Sequence, residues 1–220
     1  GGLQLFAQYL ETEIKQVQAK IDGYKPGLNP ESPKQVGLYL STLGIVPRRK
    51  TDTGQPSYSD DSLEEYKAKH PIVDLILQHR ELIKQRGTYA IGYGHHLRSD
   101  GFVHPSYLPD GTEGGRASSQ DPNLFNVTKG RTERKKKLAD MLRACFKCPP
   151  GWEIVEVDAG QIEIRGAAHL SADPAMHAML TSGTDFHMAS AKKFAAATGK
   201  DPEKVTDMDR EAAKTSNFAA

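Results

Sequence analysis

The chain has 220 residues, with 29 Lys+Arg against 28 Asp+Glu for a formal net charge of +1, 37% hydrophobic residues and a mean hydropathy of −0.58. That length suggests one large domain or two small ones, and no apolar run approaches the ~20 residues that a membrane span requires. The near-zero charge excludes a uniformly basic nucleic-acid coat, so a polyanion site must be a local patch. Two cysteines, Cys145 and Cys148, exclude a disulfide framework and suit a reduced compartment.

Leu3, Phe6, Leu10, Ile14, Val17 and Ile21 recur every three or four residues, which predicts a helix over 3–21 with one apolar stripe. Its stripe lacks sustained heptads, so it reads as a packing element and not as a zipper. Tyr24-Lys25-Pro26-Gly27 breaks it. Ser32-Pro33-Lys34-Gln35 supplies an N-cap, a Pro at the first helical position and a capping-box Gln, opening a second helix through about Thr42. Residues 44–60 are rich in Gly, Pro, Ser, Thr and charge and predict an exposed loop. Residues 62–89 return to helix in two pieces divided near His70-Pro71. Residues 90–130 hold Gly-rich turns and short extended pieces without a helical period. A basic amphipathic helix is predicted over 134–146. Trp152-Glu153-Ile154-Val155-Glu156-Val157 alternates and is β-branched, predicting a strand that ends at Asp158, with Trp152 in its core. From Gln161 onward the chain is Ala-rich and helical. The pattern is α+β with helices at both ends.

Charge concentrates in Lys129–Lys137, which carries six basic residues and one acid, and in Arg48-Arg49-Lys50. Such clusters can neutralise phosphates, although a solvated helix face explains them equally well. Asp158, at the end of the predicted strand, has the chemistry to bind Mg²⁺, and a helix cap is the plainer alternative. In the last helix Arg210, Lys214 and Phe218 are spaced i, i+4, i+8 and share a face. Two cations and a ring on one stripe suit a nucleoside triphosphate; snorkelling side chains on an ordinary amphipathic helix are the alternative. Cys145-Phe146-Lys147-Cys148 has no second CxxC to complete a zinc site, and His95-His96 reads as a turn-exposed pair.

Taken together, these segments resemble the polymerase portion of family A DNA polymerases. Asp158-Ala159-Gly160-Gln161-Ile162-Glu163-Ile164-Arg165 is similar to motif A, DYSQIELR. Arg210-x-x-x-Lys214-x-x-x-Phe218 is similar to motif B. Gly115-Arg116-Ala117-Ser118-Ser119-Gln120-Asp121-Pro122-Asn123-Leu124-Phe125-Asn126 resembles TGRLSSSDPNLQN, and Gly183-Thr184-Asp185-Phe186-His187 resembles GEDIH. His70-Pro71-Ile72-Val73, Arg80-Glu81-Leu82 and Thr88-Tyr89 resemble the thumb.

The resemblance implies a right-hand polymerase fold. It assigns a helical thumb to 1–96, an antiparallel-sheet palm portion with motif A to 97–170, and the start of helical fingers, with a truncated motif B, to 171–220. It implies template-directed DNA synthesis: addition of a dNTP to a primer 3′-hydroxyl by two-metal phosphoryl transfer. Asp158 would ligate two Mg²⁺ ions with help from the Ala159 carbonyl. Lys214 would act as general acid toward pyrophosphate. Glu163 would disfavour a 2′-hydroxyl, and Gln161, His187, Arg210, Lys214 and Phe218 would complete the nucleotide site. Arg48, Arg49, Lys50, Arg86, Tyr89, Arg116, Asn123, Asn126 and Arg131 would contact primer–template DNA. These are mostly phosphate contacts, which position DNA without reading its sequence.

Several departures qualify the resemblance. Ala159-Gly160 replaces the usual Tyr-Ser. Phe125 stands where a Gln often contacts the minor groove. The longer basic stretch before residue 138 fits a phage or viral branch. The chain ends at Ala220, short of the Tyr-Gly of motif B, and lacks motif C with its second catalytic aspartate. One carboxylate, without a second to share the load, cannot hold two Mg²⁺ ions in working geometry. The expectation is therefore an N-terminal part of a polymerase domain that needs a complementing C-terminal segment and does not polymerise alone. A non-catalytic DNA-binding or scaffold fragment is the alternative. A single-subunit RNA polymerase is weaker still, because Glu163 would penalise ribonucleotides. The opening Gly1-Gly2, without Met or a signal-type segment, reads as a trimmed start and a cytoplasmic location.

Overall fold

The apolar stripe of the first helix becomes one wall of a core. In a computed structural model, which describes residues 1–127, 130, 132–157 and 160–218, helix α1 spans Gly2–Tyr24 and buries Phe6, Leu10, Val17 and Ile21. The chain divides into two compact units, Gly1–Ile154 and Val155–Ala220.

In the first unit, α2 (Pro33–Thr42) starts where its sequence signature sits. Ser32 Oγ accepts the Gln35 N–H at 3.3 Å, with Pro33 at the first helical position. The capping box is only half made, because Gln35 Oε1 accepts the Asn29 N–H at 3.0 Å and ties down the preceding turn. After α3 (Asp60–Glu64), α4 (Pro71–Lys84) is capped by His70, whose Nδ1 accepts the Ile72 N–H. Its inner face is Ile72, Val73, Ile76, Leu77 and Leu82, packed in the same cluster as the stripe of α1. Each fully buried aliphatic side chain of this kind contributes ~1.5–3 kcal/mol of transfer free energy.

The helical course does not stop at residue 89. It widens into a π-helical segment, Gln85–Ile91, and ends in α5 (Gly92–Gly94). A π turn advances the helix face, and here it brings Tyr89, Ala90 and Tyr93 into the core together. The next stretch holds a small antiparallel sheet of β1 (Ser106–Leu108) and β2 (Ser118–Gln120), with Tyr107 opposite Ser119. Thr132 then caps α6 (Glu133–Arg143), which buries Leu138, Ala139 and Leu142.

The expected strand over 152–157 is not formed among the described residues. Trp152 is 72% exposed and Val157 88%, with Ile154 and Val155 also open, so Trp152 is not a core residue. β-branched alternation makes an extended backbone easy to adopt, but a strand exists only when another strand accepts its hydrogen bonds.

The second unit is helical, as the Ala-rich composition predicts: α7 (Ile162–Ser171), α8 (Pro174–Thr181), α9 (Phe186–Ala197), a 3₁₀ turn at Pro202–Lys204 and α10 (Asp207–Phe218). Aspartates start three of these pieces. Asp173 accepts the Ala175 and Met176 N–H groups, Asp185 that of Met188, and Asp201 that of Glu203. Among the described residues the buried apolar side chains of this unit are small apart from Ile164: Ala168, Ala191, Ala195 and Ala213. Helices α9 and α10 pack on each other, and Ala191, Ala195 and Ala213 are the apolar residues they bury. Among the described residues no helix is long and apolar enough to cross a membrane.

Candidate functional site

The second unit gathers a charged cluster at the N-terminus of α9. Asp185 caps that helix and receives Arg210 of α10, whose Nε lies 2.9 Å and Nη2 2.8 Å from the same oxygen, Oδ2. Lys214 follows Arg210 by one turn of α10. His187, two residues into the helix after Asp185, is 4% exposed. Burial holds its imidazole below the ordinary range, with the positive charges of Arg210 and Lys214 pushing the same way against Asp185 and Glu211. Burial pushes the Asp185 carboxyl up, yet the Met188 N–H and the Arg210 guanidinium hold it below the usual range. Near neutral pH the cluster therefore presents a neutral imidazole beside two fixed cations.

Gln161 joins this cluster from the start of α7. Its backbone is left-handed (φ 57°), a conformation that costs a non-glycine residue ~1 kcal/mol or more. The Gln161 Oε1 atom accepts the Phe186 N–H at 3.4 Å, next to His187. Glu163 stands on the first turn of α7 and is exposed, and Arg165 Nε donates to the Gly160 carbonyl. Of the expected nucleotide residues, Gln161, His187 and Arg210 thus gather around the start of α9, with Lys214 within electrostatic reach of His187. Phe218 is the last residue of α10.

In the first unit the expected DNA-contacting loop is clamped from below. The Tyr89 hydroxyl donates to the Asn126 carbonyl at 2.9 Å, and the Tyr93 hydroxyl to the Asn123 carbonyl at 2.8 Å. The two rings meet edge-on at 5.5 Å, and Phe146 meets Tyr93 in the same way. Burial, then the neighbouring Tyr89, pushes the Tyr93 phenol up to about 12, so it stays a donor throughout the physiological range. Above this floor Asn123, Phe125 and Asn126 are exposed, and Asn123 Oδ1 turns the loop by accepting the Phe125 N–H. Arg116 is exposed in the turn before β2, where its backbone is bracketed by the Thr112 hydroxyl.

Other expected DNA residues sit in different settings. Arg86 is paired with Glu11, its Nε and Nη2 at 3.1 and 2.7 Å from one oxygen. Arg48, Arg49 and Lys50 are exposed in the loop before α3, and Arg49 lies 3.9 Å from Glu65. Much of the basic stretch folds back on the first unit: Arg134 lies 3.8 Å from Asp74, Lys135 3.9 Å from Glu81, and the Lys137 ammonium sits over the Tyr9 ring. Arg131 lies outside the described residues, as do Asp158 and Ala159, the expected metal ligands. Among the described residues no three His, Cys, Asp or Glu side chains converge as a metal site. Cys145 and Cys148 are free thiols whose Sγ atoms point to different carbonyls, those of Met141 and Trp152.

Two contributors were given no role from the sequence: Tyr93, and Asp185, which stood there only as part of the Gly183–His187 motif. Tyr93 carries no signal beyond its i+4 spacing from Tyr89. Asp185 does carry one, a carboxylate just before a helical run, but that signal marks a cap. Its bond to Arg210, 25 residues on, is a tertiary fact.

Comparison with known proteins is consistent across sequence and structure. The family model described as DNA polymerase family A matches residues 2–220. The thermostable DNA polymerase I of Thermus filiformis is 34% identical over 222 residues, covering 98% of this chain and 26% of that protein. The DNA polymerase I of Streptococcus pneumoniae is 37% identical over 196 residues, 86% of this chain and 21% of that protein. The chain therefore spans about a quarter of the length of the curated relatives it matches. A solved POL domain of Pol1 from M. smegmatis, in complex with DNA primer-template and dNTP, superposes with a TM-score of 0.79 at 27% identity, covering 99% of this chain and 38% of that one.

Proposed function

Because the chain belongs to DNA polymerase family A, we propose that it supplies the nucleotide-holding and primer-holding part of template-directed DNA synthesis. The observation that carries this reading is the cluster at the start of α9, where Arg210 and Lys214, one helical turn apart, bear on the buried, neutral His187. Two fixed cations suit the oxygens of a triphosphate, which spread charge over several acceptors. A buried, neutral imidazole can add one further hydrogen bond without adding charge. Lys214, exposed beside them, is assigned the delivery of a proton to the departing pyrophosphate. Glu163, on the adjoining helix α7, is assigned the exclusion of a 2′-hydroxyl.

In the first unit the loop 116–126 is assigned to the primer–template near its terminus, with Arg116, Asn123 and Asn126 as the contacting residues. Arg48, Arg49 and Lys50 would add phosphate contacts and with them a salt-dependent affinity. Tyr89 serves this task by holding the loop, since its hydroxyl is engaged by Asn126.

Asp158 and the Ala159 carbonyl are hard oxygen donors of the kind Mg²⁺ takes, and a second carboxylate, on a segment carrying motif C, is required for two ions. Bound there, the metal would supply Lewis-acid activation of the attacking hydroxyl and charge neutralisation at the leaving group.

The test is dNTP incorporation on a primed template, with that segment supplied in trans. Incorporation should appear on complementation, vanish with Asp158→Asn, and fall by ~10²–10³ in kcat with Arg210→Ala, the usual cost of a lost charge-stabilising donor. Incorporation that survives Asp158→Asn would overturn the metal assignment. Duplex binding with no incorporation after complementation would favour the scaffold reading.

A further inference from the structure

Asp185 serves two partners with its two oxygens. Oδ1 accepts the Met188 N–H at 3.0 Å and so caps α9, while Oδ2 takes Nε and Nη2 of Arg210 from α10. A guanidinium carries five N–H groups in one rigid plane. With the Nε–Nη2 edge on Asp185, and Nη1 3.3 Å from the exposed carboxylate of Glu211, the contacts among the described residues leave one N–H on each terminal nitrogen. The arginine side chain is 29% exposed, so part of it is open to solvent.

We propose that Asp185 is a positioning residue for nucleotide binding: it fixes Arg210 by one edge so that the other edge is held ready for a phosphate group, in register with Lys214 one turn along α10. The proposal rests on the triphosphate reading of Arg210 and Lys214. A free arginine loses rotamer entropy when it grips an anion, and an arginine already held by its Nε edge has lost most of it beforehand. The holder must itself be fixed, and Asp185 is, through the cap on α9. A carboxylate that merely neutralised Arg210 would compete with phosphate for the terminal edge. This one takes the inner edge.

The cap and the guanidinium contact can be separated by substitution. Asp185→Asn keeps an oxygen for the Met188 N–H but has no second oxygen and no charge for Arg210. Asp185→Ser keeps the cap with a side chain too short to reach Arg210, and it stands in if the Asn variant folds poorly. Two measurements on the 220-residue chain decide the matter. The first is ¹⁵N NMR of the Arg210 Nε–H, reading its hydrogen exchange and guanidinium rotation. The second is calorimetric titration with inorganic tripolyphosphate.

The Arg210 Nε–H should exchange slowly in the parent and at least about tenfold faster in both variants, because a charge-assisted hydrogen bond is lost. Tripolyphosphate should bind about tenfold more weakly to both, equivalent to ~1.4 kcal/mol. Unchanged or tighter binding in Asp185→Asn would overturn the proposal, making Asp185 a competitor. Equal Nε–H exchange in parent and variants would overturn it too. A parent chain that shows the exchange difference but binds no tripolyphosphate would overturn the triphosphate reading while upholding Asp185 as the residue that orients Arg210.

Discussion

The two units are held together by different physics. The first packs Leu10, Ile21, Leu40, Leu63, Ile72 and Ile76 at zero exposure, and its loop 116–126 is tied to that core by two neutral hydroxyl-to-carbonyl bonds and by Leu124. The second buries chiefly alanines and one isoleucine among its described residues, and relies on aspartate caps and the Asp185–Arg210 pair. Aliphatic burial is insensitive to pH and to charge screening, whereas ion pairs and carboxylate caps respond to both. A large-residue core makes a rigid platform, which suits the duplex surface proposed for this unit. A small-residue helix pair carries less stability, and elements that grip and release a ligand are drawn from the less stable end of a structure.

The contrast breaks most visibly under core truncation. Leu10→Ala or Ile76→Ala should cost ~2–5 kcal/mol in a denaturant titration of the chain. Ala191→Gly in α9 should cost only about 1 kcal/mol, most of it glycine's greater backbone freedom, since a single methyl is lost from the packing. If the two costs came out equal, the division between a packed unit and a charge-held unit would fail.

Next in size is the tyrosine clamp. Tyr89→Phe and Tyr93→Phe should each cost ~1 kcal/mol, because a loop carbonyl loses its donor. The paired change should speed amide hydrogen exchange at Phe125 and Val127 and weaken primer–template affinity without altering its salt slope. Replacing Arg48, Arg49 and Lys50 by Ala should instead flatten that slope, each phosphate contact contributing about 0.9 to it.

Acid should separate the units as well. The folded-state pKa of His187 is held below its ordinary 6.5 by burial, so the unfolded chain takes up the proton first. The stability this group confers is complete above pH 6.5 and is lost as pH falls through the depressed value. Asp185 repeats the pattern below its ordinary 3.8. Amide protection in α9 should therefore fall between neutrality and mild acid while that of α1, which has no histidine and no titratable side-chain cap, stays constant. An NMR titration of the His187 ring, followed alongside α9 exchange, checks both halves; parallel loss in the two helices would contradict the comparison.

The smallest effect is expected at Lys192–Glu203, 3.0 Å apart with both side chains well exposed. Glu203→Gln should shift stability by less than ~0.5 kcal/mol, and by nothing measurable at high salt.

Local signals in the sequence were strong where chemistry is local. The three-and-four spacing of α1, the Ser32-Pro33 start of α2 and the Ala-rich helices after Gln161 were all legible, because caps and stripes are made by neighbours within a few residues. Motif-like spacing also brought out Arg210 and Lys214, since a helix face is a matter of counting. The helix that runs past residue 89 was not legible, because a π turn is a packing compromise that puts Tyr89 and Tyr93 into the core. The strand expected over 152–157 went wrong for the converse reason: alternation describes a segment, and pairing belongs to its partner.

The sequence by itself determined the family, the start of the first helices and the identity of the charged residues on α10, since each is encoded in residue types and short spacings. Only the tertiary structure decided what those residues do to one another. Arg86 is turned onto Glu11, Tyr89 onto the loop beneath Asn126, and Arg210 onto Asp185. A charge or a hydroxyl bonds to whatever the fold brings within about 3 Å, and in each of these contacts the partners stand at least 25 positions apart in the sequence.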